Sequence, residues 1–178
     1  DSPTRALAKA ASLADLIVTG ATRGASTGDI YRAADPGSVV LQTGRPVLVA
    51  AGGAERVTAK KAVVAWKDTR EARRAVADAA PLLSLVKEVI VVTVDRELTG
   101  WVKAGVGDVV NYLACHGIKA RTELIETRDE SERLVEFVTS AEADLVVSGA
   151  YGHSRMREWV LGGVTRSLLD QTGLNRFM

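Results

Sequence analysis

Ala143-Asp144-Leu145-Val146-Val147-Ser148-Gly149-Ala150-Tyr151-Gly152 passes from a polar start through an apolar centre into glycine. Leu145-Val146-Val147 reads as the middle of a strand buried on both faces, the habit of parallel sheets. The glycine-containing loop after it leads to a helix expected from about Gly163 to Gln171, and a last short strand begins near Leu174. Working back along the chain, the same alternation recurs. Ala62-Val63-Val64-Ala65-Trp66 is a short β-rich run, and Thr69 can cap a helix whose apolar positions are Ala72, Val76, Ala79 and Ala80. Glu88 to Val94 holds the apolar strand Val89-Ile90-Val91-Val92. A helix over Trp101 to His116 ends at Gly117, with His116 placed to suit the helix dipole. Lys119 to Ile125 is a third strand. Asp129-Glu130-Ser131-Glu132 starts another helix, with Leu134, Phe137, Val138 and Ala141 on one side and its first-turn acids serving the dipole. Five strands with four intervening helices predict an α/β fold with a doubly wound parallel sheet.

The opening residues repeat the end of that pattern. Ala14-Asp15-Leu16-Ile17-Val18-Thr19-Gly20 echoes Ala143-Asp144-Leu145-Val146-Val147-Ser148-Gly149 at an offset of 129 residues. Thr4 to Leu13 matches the helix before the fourth strand, Gly37-Ser38-Val39 echoes Gly162-Gly163-Val164, and Pro46 to Ala50 gives a closing strand. The expected organisation is therefore the C-terminal part of a first module (1–53), a linker (54–60) and a second, fuller module (61–178). The first module's loop is degenerate: Gly20-Ala21-Thr22-Arg23-Gly24 has one extra residue between its glycines.

Composition narrows the function classes. A 47% hydrophobic, 25% charged chain of 178 residues has enough apolar surface to order itself. Its formal net charge of +1, without a long run of Lys or Arg, argues against nucleic acid and against an anionic membrane as partners. No apolar run reaches the length of a membrane span and Asp1 opens no signal pattern, so a cytoplasmic location is expected. The single cysteine, Cys115, is read as a buried small hydrophobe in preference to a reactive thiol, and one Cys with two His makes a structural zinc site improbable.

The chemistry concentrates in the loop from Gly149 to Thr165. Glycines let a backbone approach oxygen atoms closely, and the helix start at Gly162-Gly163 offers unpaired N–H groups and partial positive charge to a phosphate. The loop lies beyond the carboxyl end of a strand, where open parallel sheets bind ligands. Gly149, two residues, Gly152, nine residues, Gly162 resembles the signature of the universal stress protein family, with Gly163 standing where that family usually has Ser or Thr. The resemblance spans Lys61 to Met178, and Thr4 to Ala50 as the end of a preceding module. It implies an adenine nucleotide alpha hydrolase-like, Rossmann-like fold. It also implies ATP (or ADP or AMP), with or without Mg, near Gly149, Gly152, Gly162, Gly163 and Val164; Ala65, Lys67, Asp68, Val94, His153 and Thr165 complete the candidate set. Family modules commonly pair through their closing strands, which predicts a homodimer or an intramolecular pair of modules.

Two positions depart from the pattern. Gly163 removes a hydroxyl, for which Thr165 or Ser154 could substitute, and Lys67 occupies the expected place of an acid, with Asp68 displaced by one residue. Lysine only donates hydrogen bonds, so it cannot replace an acid that accepts them; it could turn towards phosphates, or the pair could be a solvated turn. Three readings follow. The first is a nucleotide-binding stress or signalling module without rapid catalysis. The second is an interaction module of the same family that binds no nucleotide, and the third is a slow nucleotide hydrolase.

Overall fold

A computed structural model describes residues 2–21, 34–53, 57, 59–150, 168, 171 and 173–178. Seven strands form one sheet: β1 (Ile17–Gly20), β2 (Val47–Ala50), β3 (Lys61–Ala65), β4 (Glu88–Asp95), β5 (Ala120–Glu126), β6 (Leu145–Ser148) and β7 (Asn175–Phe177). Five described α-helices accompany them: α1 (Pro3–Ala10), α2 (Pro36–Thr43), α3 (Arg70–Leu83), α4 (Gly100–Cys115) and α5 (Glu130–Ser140).

Each helix starts where a short polar side chain takes up an orphan backbone donor. Thr69 accepts from the N–H of Ala72 at α3, Asp129 from Glu132 at α5, and Asp35 from Ser38 at α2. Gly117 follows α4 with a φ of +74°, a conformation that costs glycine little. The Nδ1 of His116 lies 2.9 Å from the carbonyl oxygen of Tyr112, so the ring engages the last turn of α4.

The strand order is β1-β2-β7-β6-β3-β4-β5. Every pairing is parallel except one: β2 and β7 run antiparallel, Leu48 opposite Phe177 and Val49 opposite Arg176. Val47 and Met178 exchange both backbone hydrogen bonds, at 2.9 and 3.0 Å. The five expected strands of residues 61–178 are thus present as β3, β4, β5, β6 and β7, but they belong to a continuous seven-stranded sheet that β1 and β2 extend. The sequence offset reappears in the ladders. Ile17 pairs with Val47 and Val146 with Arg176; Val18 pairs with Leu48 and Val147 with Phe177. An approximate two-fold axis consequently passes between Leu48 and Phe177, relating β1 to β6 and β2 to β7.

Alternate residues of the central strands feed two apolar layers. Ala62, Val64 and Trp66 of β3 and its exit join Ala75, Ala79 and Leu83 of α3 and Val106, Val109 and Leu113 of α4 on one face. Val63 joins Ile90, Val92 and Val146 with Leu134 and Val138 of α5 on the other. A third cluster holds Ile17, Val39, Val47 and Val49 with Ala150 and Met178, locking α1 and α2 to the sheet. Burying side chains such as Leu83, Ile90 and Leu113 contributes roughly 1.5–3 kcal/mol each.

Cys115 departs from expectation: it is exposed. The buried positions of α4 are Gly105, Val106, Val109 and Leu113, and position 115 falls off that stripe onto the solvent side. Among the described residues, no helix is long and apolar enough to cross a membrane.

Candidate functional site

The crossover from β3 through α3 reaches β4 on one side, whereas β6 lies on the other side of β3, so the winding reverses between β3 and β6. The carboxyl ends of those two strands mark the position at which doubly wound sheets receive ligands. On the β6 side stand Ser148, which is buried, and Gly149. A Cβ placed on Gly149 would lie 2.6 Å from the backbone nitrogen of Ala72 and 2.8 Å from the carbonyl carbon of Glu71. Only glycine lets the β6 exit press against the first turn of α3.

On the β3 side, Trp66, Lys67, Asp68 and Thr69 form a tight turn in which the N–H of Thr69 donates to the carbonyl of Lys67 at 2.6 Å. Thr93 Oγ1 donates to the carbonyl of Trp66 at 2.9 Å and ties the turn to β4. The Trp66 side chain is buried against α3 and α4, and its Nε1 has no hydrogen-bond partner among the described residues. Lys67 and Asp68 diverge, as successive residues leaving a strand do. Lys67 Nζ donates to Glu130 Oε2 at 2.9 Å, at the start of α5, and lies 3.4 Å from Asp95 Oδ2 at the end of β4. Asp68 accepts from Arg73 Nε at 2.7 Å and sits beside Gly105 of α4.

Electrostatics follows from those partners. Desolvation of Lys67, the largest single influence, lowers its pKa, but the hydrogen bond to Glu130 and the charges of Glu130 and Asp95 outweigh it and the net shift is upward. The hydrogen bond from Arg73 holds the Asp68 carboxyl below its ordinary value. Both groups are ionised near neutral pH and both are engaged within the protein. The lysine is directed to Glu130 and Asp95, and the aspartate to Arg73.

Of the other candidates, Ala65 is half-buried at the end of β3, and Val94 is buried near the end of β4 on the α5 side. Both belong to the apolar layer that α5 covers. Gly152, His153, Gly162, Gly163, Val164 and Thr165 lie outside the described residues, as do Ser154, Arg155 and Arg157. In sequence Glu130 suits the dipole of α5, and nothing there marks Asp95 as a partner of Lys67. The signal available was Lys67 itself, because a half-buried cation at a strand end needs counter-charges from its neighbours. Among the described residues, no group of three or more His, Cys, Asp or Glu side chains is arranged to hold a metal ion.

Solved structures share this architecture. A universal stress protein from Archaeoglobus fulgidus DSM 4304 superposes with a TM-score of 0.75 at 16% identity, over 98% of this chain and 64% of that one. A shorter universal stress protein from Archaeoglobus fulgidus gives a TM-score of 0.53 at 20% identity, over 67% of this chain and 97% of the other. A universal stress protein in complex with cAMP gives 0.53 at 17% identity, over 66% and 94%. This chain thus spans less than two thirds of the length of the first of these. No family model and no curated protein matches the sequence. At such identities the likeness establishes the fold, a mostly parallel, Rossmann-like α/β sheet of the kind seen in universal stress proteins.

Proposed function

We propose that the chain is a tandem universal stress protein whose residues 61–178 form a module that binds an adenine nucleotide, ATP foremost. Residues 1–53 are the C-terminal part of a degenerate first module, joined by the linker 54–60. The observation that carries the nucleotide reading is the reversal of winding between β3 and β6, with Gly149 packed against the start of α3 and the Gly149, Gly152, Gly162 spacing running on from it. Ala65 and Val94 present apolar surface suited to a purine ring, and the glycines suit close approach of phosphate oxygens. A universal stress protein of the same fold has been crystallised with cAMP, which supports a nucleotide as the ligand class. The two-module organisation is supported by the repeated ladder registers, and by short relatives that are covered almost whole while matching about two thirds of this chain.

The module acts by binding, with Mg accompanying the triphosphate and no rapid turnover. It works in the cytoplasm in a stress or signalling response. Replacing Gly152 with Val is expected to abolish ATP binding in titration calorimetry, because a branched side chain would occupy the space of the phosphates. Equal affinity in the variant would falsify the assignment of the loop.

A second reading, an interaction module without nucleotide, draws on one observation. Lys67 stands where the family resemblance places an acid, and its ammonium is already held by Glu130 and Asp95. Failure of the parent protein to take up ATP, ADP or AMP in the same calorimetry would favour this reading.

A further inference from the structure

The two-fold axis between Leu48 and Phe177 sets each residue of β7 against a counterpart in β2. Ile17 pairs with Val47 as Val146 pairs with Arg176, so Arg176 stands where the first closing strand has Val47. Both are shut away from solvent, Val47 at 0% exposure and Arg176 at 1%. The next positions agree in kind: Leu48 matches Phe177, and Val49 matches Met178, all four buried and apolar. A closing strand therefore has no need of a charge at this place. A buried guanidinium is also costly unless its donors are used.

The ladders show where that charge sits. Arg176 lies opposite Val146 on one side and Val49 on the other, and residues opposite one another share a face of the sheet. Val146 belongs to the layer that α5 covers, together with Leu168 and Leu174, and Val49 to the layer that locks α1 and α2 to the sheet. The arginine stands where these two layers meet. From there its Nη1 donates to the carbonyl oxygen of Leu168 at 3.2 Å, a buried hydrogen bond. Leu168 is helical, and its carbonyl also accepts from the N–H of Gln171, which is outside the helix. The acceptor therefore belongs to a last helical turn, where carbonyls lack intrahelical donors and a cation suits the dipole. By sequence, this is the helix that follows Gly162-Gly163. The module with the Gly149, Gly152, Gly162 spacing has the arginine, and the module with the degenerate loop has the valine.

We propose that Arg176 is a positioning residue for the nucleotide loop: it holds the last turn of the loop helix onto β7 and thereby sets the helix whose start receives the phosphates. The inference rests on the nucleotide reading of residues 61–178. Arginine suits the task because its planar, permanently charged fork is held more rigidly than an ammonium on a flexible stem.

The test is ATP titration calorimetry on the full chain, with amide exchange and thermal melting measured on the same proteins. Arg176→Met is expected to weaken ATP binding by about tenfold or more, the loss that follows a missing charge-assisted hydrogen bond. Exchange at the amides of Leu168 and Gln171 should quicken with it. Arg176→Lys keeps a charged donor on a looser stem and should fall between parent and Arg176→Met. Val47→Ala, at the counterpart position, lowers the melting temperature by leaving a cavity but keeps ATP affinity within about twofold of the parent. Equal ATP affinity in the parent and Arg176→Met overturns the inference. So does a loss of affinity that Val47→Ala matches at the same drop in melting temperature, since the arginine would then only stabilise the fold. If Arg176→Met does not fold, the parent and Arg176→Lys decide. Slowing of Leu168 exchange by ATP that is weaker in the lysine variant supports the inference, and identical slowing overturns it. A parent chain that takes up no ATP overturns the nucleotide reading and this inference together. That result is distinct from a parent that binds ATP and a variant that binds it equally well.

Discussion

Lys67 shows how the neighbours of one residue decide where its charge is directed. Its place in the sequence marked a departure from an acidic position, and a flexible cation there could have reached across the cleft. The structure instead ties it to Glu130 and Asp95. A cation held between two carboxylates satisfies both, so the ammonium works as a brace between β3, β4 and the start of α5. The folded pKa is raised above the unfolded value. The stability that Lys67 contributes is therefore complete below the unfolded pKa, about 10.4, and is lost as pH rises through the folded value. Lys67→Met is expected to cost about 1 kcal/mol or less near neutral pH, because the pair is part-exposed. Urea titrations of parent and variant should converge in strongly alkaline buffer. A difference that persisted unchanged there would show that the brace acts through packing of the lysine stem. In sequence Gly149 reads as the glycine at a strand exit that opens the candidate loop. Its contact with α3 is not legible there, because the partner backbone comes from residues more than seventy positions earlier.

The elements divide by how local their causes are. Helix starts at Thr69 and Asp129 and the strands of residues 61–148 follow from capping side chains and apolar runs, and they were readable directly. The exposure of Cys115 was not, since a window of Tyr112-Leu113-Ala114-Cys115 looks apolar whichever way it faces. Only the stripe through Val106, Val109 and Leu113 decides which side is inward. The closing strands are the other non-local element. Pro46 to Ala50 reads locally as a strand, and its antiparallel partnership with β7, over 120 residues away, is the intramolecular pairing of closing strands that the family resemblance, not the local sequence, predicts. Val49 is buried in the cluster that joins this seam to α1 and α2. Val49→Asp places an unpaired charge there and is expected to destabilise the protein by about 4 kcal/mol or more. Thermal melting should register it, and light scattering should register aggregation of the loosened strands. An unchanged melting temperature would mean that the β2–β7 seam contributes little to the whole.

At the scale of the molecule, protection should be uneven. β3, β4 and β6 are interior strands with buried faces, whereas β1 has one strand neighbour among the described residues and exposes Val18. Amide exchange in the parent chain is expected to be slowest in β3 and β4 and fastest, among strands, at Val18 and Gly20. Uniform protection across the sheet would contradict the edge role of β1. The antiparallel step between β2 and β7 carries a further consequence, one of orientation. Strands on either side of it run in opposite senses, so Gly20 and Gly149, alike in sequence, finish at opposite poles of the sheet. The strands that meet at Leu48 and Phe177 are thus the joint at which two oppositely directed halves of one sheet share a backbone ladder, and a shift of either half is felt there by the other.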